Sequence, residues 1–326
     1  MQAQNMTFIG LTQASLSMAL AIKQEAPSLN TVGYDSDSTL TKRAAEKEIV
    51  NDAELDLDKA IAEADILIID LPQTETENLF NVLGGLMREH VVFTHLTPKA
   101  KHYQKLADSV VKKGFFVGSA PVQSAQTFES RVVDDPVAAA RADYFKNSLF
   151  CLMPSPNVDE GAVKTVRGIG QLMGADPYFI DSAEYDVYQL ALKTLPQVTS
   201  LALFESLHRQ TAWKDLLRMA GNDFYAGTSQ FADKGQSLAK DVFEDTQTAI
   251  HWINQMIGSL EEIRRWIEVT DEETLASLFS ERGFERDIWI QTRKENQWEE
   301  VQQADVDQQS FRDMFMGSMF GRRRNG

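Results

Sequence analysis

The amino-acid sequence predicts an α/β fold: a Rossmann-type domain built on a mostly parallel sheet, followed by an all-helical C-terminal domain. Three observations carry that expectation. From Met6 to about Met153, short apolar runs alternate with helical periodicity, the pattern of parallel strands joined by crossover helices. The run Ile66-Leu-Ile-Ile-Asp70 is apolar at successive positions, as a central strand covered on both faces must be. From Asp181 onward the periodicity is almost wholly helical.

The strands are placed at residues 7–9, 31–34, 66–70, 91–94, 115–118 and 149–153, with helices at 16–24, 74–86 and 98–113 between them. Leu71-Pro72 ends the third strand, because proline cannot donate to a sheet ladder. Two prolines in Met153-Pro-Ser-Pro156 mark a boundary. Asn157 and Glu160 have capping-pair spacing ahead of a helix that Gly174 closes, and residues 178–180 add a strand. Asp181 or Ser182 caps a helix that must kink or break at Pro196. A long helix is expected over residues 238–267, with Val242, Ile250, Ile253, Ile257, Leu260 and Ile267 on one side. The tail after Thr270 reads as polar and irregular, apart from a Met- and Phe-rich docking helix at 311–320. The domains expected are therefore 1–155, a dinucleotide-binding unit; 156–270, a helical dimerisation and substrate unit; and 271–326, a partly helical extension.

Composition narrows the function classes. The net charge of −16 over 326 residues argues against a nucleic-acid surface, and Arg322-Arg323-Arg324 reads as a solvated tail. No window approaches the roughly 18 apolar residues of a membrane span, and no signal segment is evident, so a cytoplasmic location is expected. The single cysteine, Cys151, sits in an apolar run and reads as a buried strand thiol. The five histidines show no metal-ligand spacing, so no metal is expected.

The chemistry concentrates at residues 6–35. Met6-Thr-Phe-Ile-Gly10-Leu-Thr12-Gln-Ala-Ser15, a helix and Thr31-Val-Gly-Tyr-Asp35 lay out strand, turn, helix and acid-tipped strand, the arrangement that cradles a pyrophosphate. The usual Gly-x-Gly-x-x-Gly stands here as Gly10-x-Thr12-x-x-Ser15. Gly10 keeps the tight turn, Thr12 puts a branched side chain where phosphate meets backbone, and Ser15 is a small residue at the helix–strand contact. The first helical turn from Gln13 offers backbone N–H groups and a positive dipole end. Asp35 stands where an acid binds the adenosine ribose, and Pro72 where a strand meets the crevice. With Ser36-Asp37 following and no arginine beside them, NAD fits better than NADP. The residues expected to hold the cofactor are Gly10, Thr12, Gln13, Ser15, Asp35 and Pro72.

These strings resemble the prephenate/arogenate dehydrogenases of tyrosine biosynthesis. The matching features are Phe8-Ile-Gly10-Leu11, Gly33-Tyr-Asp35, Ala64-Asp65-Ile-Leu-Ile with Pro72, Phe116-Val-Gly118 with Pro121, Glu184-x-Asp186, Leu195-Pro196 and Ala220-Gly221-x-x-Phe224, in the same order over about residues 6–267. The resemblance implies a nucleotide domain, a helical domain that dimerises, and hydride transfer from a ring hydroxyl to NAD or NADP with loss of the ring carboxylate. The departures fall on chemical positions. The family's Gly-x-His-Pro stands here as Gly118-Ser119-Ala120-Pro121, and its Ser-His-Leu-Pro-His as Lys193-Thr194-Leu195-Pro196-Gln197. Its Thr-Arg pair has only Thr228-Ser229 as a counterpart.

No catalytic residue is assigned; the candidates are His95, Thr97 and Ser119. His95 and Thr97 follow a strand whose carboxyl end faces the expected crevice. His95 is either an acid or base there or, more commonly for such a residue, a solvated loop histidine. Ser119 adjoins the substituted histidine position but lacks an evident base. Lys99 either contacts an anion or begins a helix. The resemblance implies an NAD-linked dehydrogenase whose substituted positions make its activity doubtful. The alternatives are a different oxidoreductase of a small acid using His95 or Lys99, and a non-catalytic dimeric protein that binds a nucleotide or a partner.

Overall fold

The structure, a computed structural model, describes residues 4–96, 99–128, 134–232 and 234–296. Contacts divide the chain into two units: Met1–Thr97 with Leu106–Phe179 and Leu278–Gly326, and Pro98–Lys105 with Ile180–Ser277.

The first unit is built on six strands, β1 (Asn5–Ile9), β2 (Asn30–Tyr34), β3 (Asp52–Ala53), β4 (Ile66–Ile69), β5 (Val92–His95) and β6 (Phe115–Phe116), in the order β3-β2-β1-β4-β5-β6. Every pair is parallel. Strand order turns about β1 and β4, which sets a crevice at their carboxyl ends. The crossover helices are α1 (Gln13–Glu25), α2 (Ser38–Glu46), α3 (Leu57–Ala62), α4 (Gln73–Leu86) and α5 (Ala100–Val110), the last divided between the units. Met6, Phe8, Leu16, Met18, Ile22, Ile66 and Ile68 share one core cluster, so α1 buries its apolar side on the central strands. Phe80 of α4, Phe93 of β5 and Phe116 of β6 stack edge-on or tilted at 5.2–5.8 Å.

The strand read at 115–118 is two strands. Val117 donates to Phe93 at 3.1 Å, and from Gly118 the chain leaves the first sheet. It then forms β7 (Gly118–Pro121), antiparallel to β8 (Leu149–Met153), which pairs parallel with β9 (Asp176–Phe179). Apolar periodicity does not register a change of sheet partner, so the break left no trace in the pattern. Between β7 and β9 lie α6 (Pro136–Ala139) and α7 (Glu160–Leu172). The cap of α7 is Asp159, which accepts from Ala162 N at 3.0 Å, and not Asn157, which lies in the turn made by Pro156. Gly174, at φ +68°, closes α7 as read. The first unit thus runs past the Met153–Pro156 boundary, because β9 completes the sheet that β8 begins.

In the second unit, Asp181 caps α8 (Ser182–Gln189) through Ala183 N at 2.8 Å. A π-helical turn, Leu190–Thr194, then leads into α9 (Leu195–His208) with Pro196 in its first turn. The wide turn accommodates the missing proline N–H, so the helix runs on past Pro196 without a break. There follow α10 (Trp213–Met219), α11 (Asn222–Thr228), α12 (Gly235–Glu244), α13 (Thr246–Val269) and α14 (Glu272–Glu295), which ends in the first unit. Two expectations are corrected here. The single helix over 238–267 is two, broken at Asp245 (φ −138°, ψ 73°), whose carboxylate caps α13 through Thr248 N at 3.1 Å. The region after Thr270 is not irregular, since α14 carries 24 residues of it. Its buried positions include Thr292 and Arg293, so its inward face is not apolar and gave no stripe to read. Residues 311–320 and 322–324 lie outside the described residues. No described helix is long and apolar enough to cross a membrane.

Candidate functional site

The β1–α1 loop is held by its own side chains. Gly10 has φ +89°, and a Cβ there would lie 2.2 Å from the Asp70 carbonyl oxygen, so only glycine makes this turn. Its N–H donates to Tyr34 at 2.9 Å. The Leu11 N–H donates to the Asp35 carboxylate at 2.8 Å, and the other Asp35 oxygen takes Asp37 N at 2.9 Å. Thr12 is the N-cap of α1: its hydroxyl accepts from Ala14 N at 3.1 Å and Ser15 N at 3.2 Å. Ser15 Oγ returns the bond by accepting from Thr12 N at 2.9 Å and donates to the Gly10 carbonyl at 2.8 Å. Thr12 and Ser15 are therefore a reciprocal capping box, with serine in place of the usual acid or amide. That spacing was in the sequence, but the two residues were read only as replaced glycines.

Gln13 turns away from the loop, its amide donating to the Ala139 carbonyl at 3.1 Å. Pro72 is exposed and is the N-cap of α4 with no side-chain cap. Between them lies a residue that sequence reasoning passed over. Asp70, half-buried just beyond β4, accepts a hydrogen bond from the Thr12 hydroxyl. Burial pushes its carboxyl up to about 6, against the pull of the Thr12 hydroxyl and the Ser15 amide. Its position was visible as the acid ending an apolar strand.

The edge formed by β5 and β7 differs from expectation. His95 is not on a solvated loop: it is the last residue of β5, fully buried and stacked on Phe116 at 5.7 Å. Alternation along β5 puts it on the face of Phe93, under the aromatic layer. Thr94, on the opposite face, shares a 2.7 Å hydrogen bond with the buried Ser119 hydroxyl. Ser119 is thus tied to a hydroxyl and not to a base. Ala120 is buried opposite Cys151, whose thiol burial pushes up to about 11. Thr97 lies outside the described residues.

Within the second unit, Asp186 caps α5, accepting from the amides of Lys99, Ala100 and Lys101 at 2.9–3.1 Å. Lys99 (φ +87°) pairs with Asp241 at 3.2 Å and Glu244 at 2.8 Å, so its ammonium serves carboxylates of its own unit. These residues, with Lys101, Lys105 and Lys193, line a cavity of about 510 Å³. Thr194 and Gln197 are both buried at the π-helical turn and the start of α9. Among the described residues no group of three or more His, Cys, Asp or Glu is placed to hold a metal ion.

Residues 18–178 match the family described as prephenate dehydrogenase, nucleotide-binding domain. A prephenate dehydrogenase of Bacillus subtilis (strain 168) is 22% identical over 275 residues, covering 83% of this chain and 72% of the relative. The chain belongs to the prephenate/arogenate dehydrogenase family. It is a distant member, with a nucleotide-binding domain followed by a helical C-terminal part. The fold is that of the A. aeolicus prephenate dehydrogenase solved with hydroxyphenyl propionate and NAD+, at a TM-score of 0.72 and 18% identity over 88% of this chain and 98% of that one. The Synechocystis arogenate dehydrogenase shares it at a TM-score of 0.68 and 16% identity, over 88% of this chain and all of that one.

Proposed function

We propose that this dehydrogenase-family chain binds a nicotinamide dinucleotide along the carboxyl edge of β1, β2 and β4, and turns over prephenate or arogenate far below the family's rate. The observation that carries the second half is Ala120. The resemblance puts the family's proton-exchanging histidine there, and a positioned acid or base contributes about 10²–10⁴-fold. Among the five histidines, the first unit holds His90, in the turn before β5 and so at the amino end of that strand, and the fully buried His95. Neither is an exposed imidazole at the carboxyl edge. Thr194 and Gln197 bring no replacement.

The cofactor reading is supported unevenly. Gly10 and Asp35 suit the turn and the adenosine ribose, and a ribose phosphate would meet both Asp35 and Asp37, which favours NAD over NADP. Gln13 and Pro72 contribute position and no side-chain contact. At the pyrophosphate end, Thr12 and Asp70 occupy the loop, and a phosphate fits there only once the Asp70 charge is removed. The rival oxidoreductase built on His95 or Lys99 draws no support, because one is buried under phenylalanines and the other is paired with two carboxylates.

A steady-state assay with prephenate or arogenate and each nicotinamide cofactor, read as reduced-cofactor absorbance, tests the proposal. Rates of about 10⁻³ to 10⁻¹ per second are expected, against about 10 per second for a typical enzyme. Turnover of several per second overturns it. A homodimer is proposed from α13, where Ile250, Ile257, Leu260, Ile263 and Ile267 are all more than a third exposed on one stripe. Sedimentation equilibrium giving the mass of one chain at micromolar concentration rejects the dimer.

A further inference from the structure

The position at which α1 meets an anion is taken by the chain itself. The amides of Leu11, Thr12, Ala14 and Ser15 already have acceptors in Asp35, Ser15 and Thr12. Over the Thr12 hydroxyl sits the Asp70 carboxylate, in the place where helix N–H groups and dipole would otherwise favour a phosphate. An ionised Asp70 repels a pyrophosphate, and it holds the hydroxyl that such a ligand would need as a donor. Its titration near pH 6 falls where the phosphates of a dinucleotide stay ionised.

The charged groups around Asp70 do not offset this. The neighbouring end of β1 carries none through Thr12, and the first turn of α1 has no acid or base. The first turn of α4 brings Glu75. At the same sheet edge stand His95, closing β5, and, one strand beyond β1, Asp35, closing β2. Among these residues there is no lysine or arginine to neutralise both Asp70 and a phosphate.

Resting on the dinucleotide reading above, we infer that Thr12 and Asp70 gate the phosphate cradle: the dinucleotide enters with Asp70 protonated, and ionised Asp70 opposes it. Binding is then linked to uptake of one proton, and affinity falls by up to about tenfold per pH unit once Asp70 ionises. Isothermal titration of the full chain with NAD at about pH 5.5 and about pH 8 tests this, beside Asp70→Asn, Asp70→Ser and Thr12→Gly, with folding checked by circular dichroism. The wild type is expected to bind NAD about ten- to a hundredfold more tightly in acid. The Asp70 variants are expected to bind tightly at both pH values, and Thr12→Gly more tightly than wild type at the higher one.

Equal wild-type affinity at both pH values overturns the gate and leaves the dinucleotide reading standing. A pH dependence that persists in Asp70→Asn and Asp70→Ser assigns the proton to another group and also overturns it. No binding by any of the four proteins at either pH overturns the gate and the dinucleotide reading together.

Discussion

The two halves of the sheet's carboxyl edge have diverged differently. On the β1–β2 side, Gly10 keeps its positive φ and Asp35 still holds the loop by its backbone. On the β4–β5–β7 side, an acid ends β4, the histidine of β5 is buried, and alanine occupies the position that the resemblance assigns to an imidazole. The first half is constrained by backbone geometry, which any chain with this turn must satisfy. The second is constrained by chemistry, which the fold by itself does not impose. Scaffold and chemistry are thus separable, the first on β1 and β2 of the six-stranded sheet and the second spread over β4, β5 and the neighbouring β7.

Stability measurements can break or sharpen that comparison. The largest effect is expected from Gly10→Ala, which drives a Cβ into the Asp70 carbonyl at a positive φ; a loss of about 3–5 kcal/mol in urea unfolding follows. A loss under about 1 kcal/mol would mean the β1–β2 half is not geometrically locked.

Asp70→Asn should act in the opposite direction. The folded pKa of Asp70 is raised from 3.8 to about 6, so between those values the folded chain keeps a proton that the unfolded chain has released. Stability is therefore highest below the window and falls as pH rises through it, by at most about 3 kcal/mol. The variant should be more stable than wild type at neutral pH by up to that amount, and the difference should vanish in acid. Parallel curves for the two proteins across the window would show that Asp70 is not desolvated.

Asp35→Ala removes the acceptor of the Leu11 amide at the loop and should cost about 1.5–2 kcal/mol, with weaker NAD binding by calorimetry. The smallest effect belongs to Ser119→Ala, which leaves the buried Thr94 hydroxyl without its partner at about 1 kcal/mol. It should leave any dehydrogenase rate unchanged. A rate loss of tenfold or more would return Ser119 to the chemistry.

Legibility followed how local the cause was. The strand at 149–153 and the close of α7 at Gly174 depend on residues within a few positions, and both were read directly. The break at Asp245 was missed because apolar periodicity runs on across it, although the capping acid was present. Helix α14 was missed because its inward face includes an arginine, held by the Gln123 carbonyl at 3.0 Å and Ser148 Oγ at 3.2 Å. Those partners lie far away in the chain and leave no periodic signature. The capping box of Thr12 and Ser15 was legible in principle, but glycine replacement was the stronger visible pattern.

The sequence by itself determined the parallel α/β sheet, the turn at Gly10 and the acid at Asp35, because apolar period, a glycine requirement and a strand-end acid are all local properties. Tertiary structure alone decided that Asp70 meets Thr12, that His95 lies under phenylalanines, and that Lys99 is neutralised within its own unit. Those outcomes depend on which strand ends become neighbours and how far each side chain is withdrawn from water. Charge state and access belong to the surroundings, and the surroundings exist only after folding.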